Sequence, residues 1–270
     1  MVKEKNTSTK VLAITSGKGG VGKTNIASNL AICFAASDKK TVLFDADLGL
    51  GNVDLVMNTE NKFNLMHVIS GQKNLEEIIN IGPGGVEIIC GGSGIEELAN
   101  ISKFHLQRLL GDLEKLQEKS DIIIIDTGAG IHNSTISFCQ CADEVLVVCT
   151  PEPASMTDAY AMIKVLASRN YTGRISLMVN MASSISEGKR IFRQVSEVSS
   201  RFLNVAVYEA GIIRKTEKLT ASVKKRVPVV LNYPNSKITS AFVSTAARLM
   251  RTSKKQTSES FFRKVVNLIF

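Results

Sequence analysis

The chain has 270 residues, 44% hydrophobic and 21% charged, a balance that excludes a disordered polypeptide and leaves enough length to bury a core. No run approaches the ~20 apolar residues of a membrane-spanning helix, and the polar opening MVKEKNTSTK has no apolar stretch, so no secretory leader is expected. The net charge of +8 is uneven, with 20 Lys+Arg against 7 Asp+Glu in residues 151–270 and 13 against 18 before them, which points the C-terminal half toward an anionic partner: nucleic acid, acidic lipid or an acidic protein.

The first predicted strand runs from Val11 to Ser16, apolar on both faces like a buried parallel strand. It enters Gly17-Lys18-Gly19-Gly20-Val21-Gly22-Lys23-Thr24, and a helix follows from Thr24 to Ala36 with Ile26, Leu30 and Phe34 on one stripe. Strand, Gly-x-x-x-x-Gly-Lys-Thr and helix together predict a phosphate-binding loop. Its backbone N–H groups and the helix N-terminus would cradle an anion. Lys23 would reach β- and γ-phosphates and Thr24 would ligate Mg²⁺. Lys18 is not part of that general pattern.

A second strand, Thr41 to Phe44, delivers Asp45 and Asp47 to the carboxyl edge of a parallel sheet, where ligands bind. Such carboxylates can hold a Mg²⁺-bound water or orient an attacking water; an Asp- and Gly-rich surface turn is the alternative. Short helical patches follow around Asn64–Ile69 and Leu75–Ile79, then a strand at Val86–Cys90 and a helix over about Ser102–Lys119. Asp121-Ile-Ile-Ile-Ile-Asp126 is a buried central strand placing Asp126 at the edge shared with the phosphate loop.

Further strands at Glu144–Thr150, Ile175–Asn180 and Val205–Tyr208 alternate with helices near Ser155–Ser168, Glu187–Arg201 and Lys237–Arg251. The alternation predicts a three-layer, doubly wound, mainly parallel α/β sheet. The expected organisation is a flexible N-terminus (1–9), one nucleotide-binding α/β domain (10–251), a polar linker (252–258) and an amphipathic helix (259–270). In that helix Phe261, Phe262, Val265, Val266, Leu268, Ile269 and Phe270 form an apolar side beside Arg263 and Lys264. The polar linker before it favours an in-plane membrane anchor over a helix docked on the protein's own core. The five cysteines, Cys33, Cys90, Cys139, Cys141 and Cys149, are odd in number and sit mostly in apolar surroundings, as expected of reduced thiols in a cytoplasmic protein.

The loop KGGVGKT, with Asp45-Ala46-Asp47-Leu48-Gly49-Leu50-Gly51-Asn52-Val53-Asp54 after it, resembles the MinD/ParA group of P-loop ATPases. Asp126 to Ile131, Ala142 to Val145 and Thr150 to Ala161 most resemble that group's FlhG (FleN/YlxH) branch, which sets flagellar number and placement. The resemblance implies a slow ATPase cycling between ATP and ADP with Mg²⁺, active as an ATP-sandwiched homodimer. Gly17 to Asn25 would bind nucleotide, with Lys18 reaching across to the phosphates of the second subunit. Thr24, Asp45 and Asp126 would serve the metal, Asp47 the attacking water, and Asn180 the adenine. The segment Leu48–Asp54 would sense the γ-phosphate. The terminal helix would bind the anionic inner membrane surface, giving a cytoplasmic protein reversibly associated with it.

Implied partners are the SRP-type GTPase FlhF, flagellar switch and C-ring proteins, and a transcriptional activator. Three departures stand out: no N-terminal DQA-type motif, Gly211 to Thr216 lacking the usual Pro and Asp beside the base, and Met181 in place of a basic residue. The alternatives are cell-division MinD, a ParA-type ATPase binding DNA through its basic half, and an iron–sulfur carrier using Cys139 and Cys141.

Overall fold

Four consecutive isoleucines, Ile122 to Ile125, are all buried because their strand is covered on both faces. Ile123 and Ile125 enter one core; Ile122 and Ile124 enter the other. A computed structural model describes residues 9–47, 51–92, 103–251 and 259–269. Its eight-stranded sheet comprises β1 (Lys10–Ser16), β2 (Thr41–Ala46), β3 (Asn80–Ile81), β4 (Glu87–Cys90), β5 (Ile122–Ala129), β6 (Glu144–Cys149), β7 (Arg174–Ala182) and β8 (Val207–Arg214). The order is β3-β4-β2-β5-β1-β6-β7-β8, with only the short edge pair β3/β4 antiparallel among the described pairings. The expected doubly wound sheet is therefore borne out.

One face is covered by α1 (Lys23–Ala35), α2 (Val53–Met57), α10 (Val229–Asn232) and α11 (Lys237–Met250). The other carries α3 (Leu65–Ile69), α4 (Leu75–Ile78), α5 (Lys103–Lys119), α6 (Asn133–Cys141), α7 (Pro153–Ser168), α8 (Ile185–Leu203) and α12 (Phe261–Ile269). Helix α9 (Glu217–Lys224) packs beside α10. Beneath the sheet, buried Lys10 ties three elements together. Its Nζ lies 2.7 Å from Glu144 Oε2 on β6 and donates to the Leu249 carbonyl at the end of α11.

The C-terminal helix differs from the expected free anchor. It lies on the sheet's own cover, against α5 and α6, with Phe261, Phe262 and Val265 buried. The Phe262 ring is 5.7 Å from that of Phe44, and Phe261 is 6.3 Å from Phe138. Glu114 on α5 accepts hydrogen bonds from Arg263 Nε (2.8 Å) and Nη2 (3.0 Å) and from Ser260 Oγ (2.8 Å). Val266 is half-buried and Leu268 exposed; Phe270 and the side chain of Ile269 lie outside the described residues. The physical reason is that an apolar stripe gains the same free energy on a protein groove as on lipid. Here aromatic partners are available within the chain.

Candidate functional site

The phosphate loop is shaped by close contacts that only glycine permits. Gly22 has φ +93°, and a Cβ there would stand 2.6 Å from Asn180 Nδ2. A Cβ on Gly17 would collide with the Asp158 carbonyl of α7. Helix α1 begins at Lys23 with no side-chain cap, so its first N–H groups are available to an anion. Lys23 is 9% exposed and donates from Nζ to Ser16 Oγ, 3.1 Å away. Burial pulls its ammonium below the ordinary lysine range, against the opposing pull of Asp126 and Asp47.

Strands β2 and β5 pair with Asp45 opposite Asp126, so two buried carboxyls stand side by side. Burial first, then the charge of Asp45, pushes Asp126 up to about 7. Burial also raises Asp45 to about 6, although it accepts hydrogen bonds from the N–H groups of Asp47 (3.1 Å) and Val53 (3.3 Å). The Thr24 hydroxyl bonds to Asp126, while buried Asp126 Oδ1 has no hydrogen-bond partner among the described residues. That orphaned oxygen, a second carboxyl and a hydroxyl fit a hard, oxygen-seeking cation such as Mg²⁺. Among the described residues no group of three His, Cys, Asp or Glu could hold a metal.

Asp47 lies over Gly128 at the end of β5, where a Cβ would come 3.4 Å from its Oδ1. Of the predicted γ-phosphate sensor, Leu48, Gly49 and Leu50 lie outside the described residues, and Val53 and Asp54 open α2. Asn180, expected to read the base, braces the loop: Nδ2 donates to the Val21 carbonyl (2.8 Å) and Oδ1 accepts from Met181 N–H (2.9 Å). One amide N–H stays outside these two bonds. Gly211 to Arg214, predicted as a base-side segment after a strand ending near Tyr208, instead lies inside β8.

Lys18 is the loop residue that turns outward. Its Nζ is 2.5 Å from Glu152 Oε2, and that hydrogen bond holds the ammonium above its usual range. Glu152 stands between Pro151 and Pro153 as the residue preceding α7, so its backbone has little freedom. Both side chains are exposed, and exposed pairs are weak. If Lys18 serves a second protomer, as the resemblance implies, replacing Glu152 with Gln is expected to lower the ATP concentration for half-maximal dimerisation, by no more than about five-fold. Analytical ultracentrifugation across an ATP titration checks this; a rise in that concentration overturns the restraint on Lys18.

Sequence reasoning missed Glu152, Ser16 and Gly128 as parts of the site. Glu152 was detectable only as a carboxylate locked between prolines, since its partner is far away in the chain. Cys139 is buried, its thiol pushed up to about 12 by burial, which opposes the thiolate form a metal needs.

A doubly wound parallel sheet with a glycine loop at the N-terminus of α1 and acids at the ends of β2 and β5 defines a P-loop NTPase. The family described as ParA, an iron-transfer P-loop NTPase of NUBPL type, matches residues 7–250. The chain is 39% identical over 240 residues to the antiactivator FleN of Pseudomonas aeruginosa, covering 89% of this chain and 86% of that one. It is 32% identical over 269 residues to the flagellum site-determining protein YlxH of Helicobacter pylori, covering 97% and 91%. Among solved structures, the MinC:MinD cell division complex of Aquifex aeolicus superimposes with a TM-score of 0.73 at 26% identity, covering 93% of this chain and all of that one. The chain belongs to the ParA/MinD family of P-loop ATPases and is itself an ATPase.

Proposed function

We propose that this ATPase is a switch regulating flagellar number and placement, closing into a homodimer on ATP and then binding the anionic inner membrane surface through α12. The observation that carries the reading is the seat of α12. Phe262 packs on Phe44, the residue before Asp45, and Phe261 packs on Phe138 of α6, the helix after the Asp126 strand. A rearrangement around the γ-phosphate at Asp45, Asp47 or Gly128 is therefore felt under α12. The likeness to FleN and YlxH supports the flagellar assignment.

In this reading Lys23 and the loop N–H groups neutralise the β- and γ-phosphates, and Lys18 leaves Glu152 for the phosphates of the second protomer. Thr24, Asp45 and Asp126 would hold Mg²⁺, which when bound supplies further charge neutralisation. Asp47 orients the attacking water. One short helix binds lipid weakly, whereas two on one dimer gain avidity with no new contact. Among the described residues no helix is long and apolar enough to cross a membrane, so contact would be in-plane. The partners in this reading are the SRP-type GTPase FlhF, switch or C-ring proteins, and a transcriptional activator.

Co-sedimentation with anionic vesicles tests the proposal. ATP should raise the bound fraction at least about ten-fold over ADP, and a chain truncated after Thr257 should stay in the supernatant. Binding indifferent to both nucleotide and tail overturns it. A ParA-type DNA role keeps one supporting observation, the exposed Lys189, Arg190 and Arg193 on α8. Steeply salt-dependent DNA binding that needs ATP but not α12 would favour that role.

A further inference from the structure

Beyond the nucleotide site, a cavity of about 510 Å³ opens at the carboxyl end of edge strand β8. Its rim holds Arg214, Lys215, Lys218 and Lys237, all exposed, and no Asp or Glu is among its described lining residues. Among the described residues, Arg214, Lys215 and Lys237 have no ion-pair partner, and Lys218 only stands 5.4 Å from the Tyr233 ring. Lys73, Lys115 and Arg248, by contrast, each have a carboxylate partner, in Glu77, Asp112 and Glu209. Helices α8 and α11 both begin at this cavity, contributing Ile185 and Ser236 to its wall, so their positive ends add to the same field.

Four cations gathered at one mouth repel one another, and an anionic occupant would relieve that repulsion. The floor supplies the second half of the argument. Ile185, Ile212 and Ile238 line it, and Ile185 is 47% exposed. A sugar–phosphate backbone or a free phosphate has nothing to bury there, whereas a peptide side chain does. The volume suits a small number of side chains.

We infer that this cavity is a docking site for an acidic segment of a partner protein, carboxylates on the rim and an apolar anchor on the floor. The site is separate from the phosphate loop but close enough to feel it. Lys215 N–H donates to the Ala182 carbonyl (2.9 Å), two residues from the Asn180 that braces the loop. The inference does not depend on the flagellar reading.

The test uses the full chain and a short fluorescein-labelled peptide of alternating Glu and Leu, followed by fluorescence anisotropy. Lys218→Glu with Lys237→Glu should weaken binding at least about ten-fold, and Ile185→Ser about five-fold. Unlabelled polyglutamate, inorganic triphosphate and duplex DNA should compete much less well than the unlabelled peptide. Unchanged thermal melting and basal ATP hydrolysis in the variants exclude misfolding. Peptide binding that ignores the variants overturns the site. Competition by DNA or polyglutamate equal to the peptide's overturns the acidic-and-apolar partner and leaves a general polyanion surface.

Discussion

Asp47→Ala is expected to slow ATP hydrolysis about a hundredfold or more while nucleotide affinity changes little. The expectation rests on where the carboxylate lies. Asp47 follows β2 by one residue, donates its own N–H to Asp45 Oδ1, and rests over Gly128. It thus faces the end of the loop where the γ-phosphate would sit, without forming part of the cradle. Its removal leaves Lys23, Thr24 and the loop N–H groups in place, so binding survives. With hydrolysis blocked and ATP retained, the dimer should accumulate and sediment persistently with vesicles. Phosphate release, together with size-exclusion chromatography in ATP, reads both effects. Normal turnover in the variant would remove Asp47 from the role of orienting water.

Asp126→Asn should act in opposite directions on stability and on metal use. Burial pushes Asp126 up to about 7 and Asp45 up to about 6 in the fold, against about 3.9 for an unfolded aspartate. A folded value above the unfolded one means that the folded chain holds more protons. The stabilisation is thus fully present below about pH 4 and is lost as pH rises through 6 and 7. Without nucleotide and Mg²⁺, the parent should melt several degrees lower at pH 8 than the Asn variant, which carries no charge at that position. With ATP and Mg²⁺ the order should invert, because only the parent can use the cation. Differential scanning calorimetry at pH 5.5 and pH 8 separates the cases. A variant less stable than the parent at pH 8 in the apo state would show that Asp126 is held by a partner as an anion.

The elements carrying chemistry were those most legible in the sequence, because their patterns are local. An apolar strand, a glycine loop and a striped helix are contiguous, and four isoleucines before Asp126 admit few other readings. Helix α6 left no such trace. Its NSTISFCQC buries Thr135 and Ser137 as well as Ile136, Phe138 and Cys139, so no polar face marks a helical period. Strand β8 was read short because Glu209 and Gly211 interrupt its apolar run, although Arg248 covers the Glu209 and Ala210 carbonyls there. The Lys18–Glu152 and Phe44–Phe262 contacts join distant stretches, and no periodicity records them. The amphipathic pattern of α12 was visible, but a stripe of phenylalanines does not say whether protein or lipid will cover it.

Lys10 gives that last helix a fixed point of origin. By holding the Leu249 carbonyl beneath the sheet, it fixes the chain just before residues 252–258, which lead to α12. These are seven residues, and seven residues span at most about 25 Å. A helix released while joined through so few residues would stay at a local concentration on the order of millimolar around its own groove. Under the proposed membrane reading, groove and bilayer would compete for it. In that reading ATP need only tilt the competition, and hydrolysis would end membrane residence by reopening the groove.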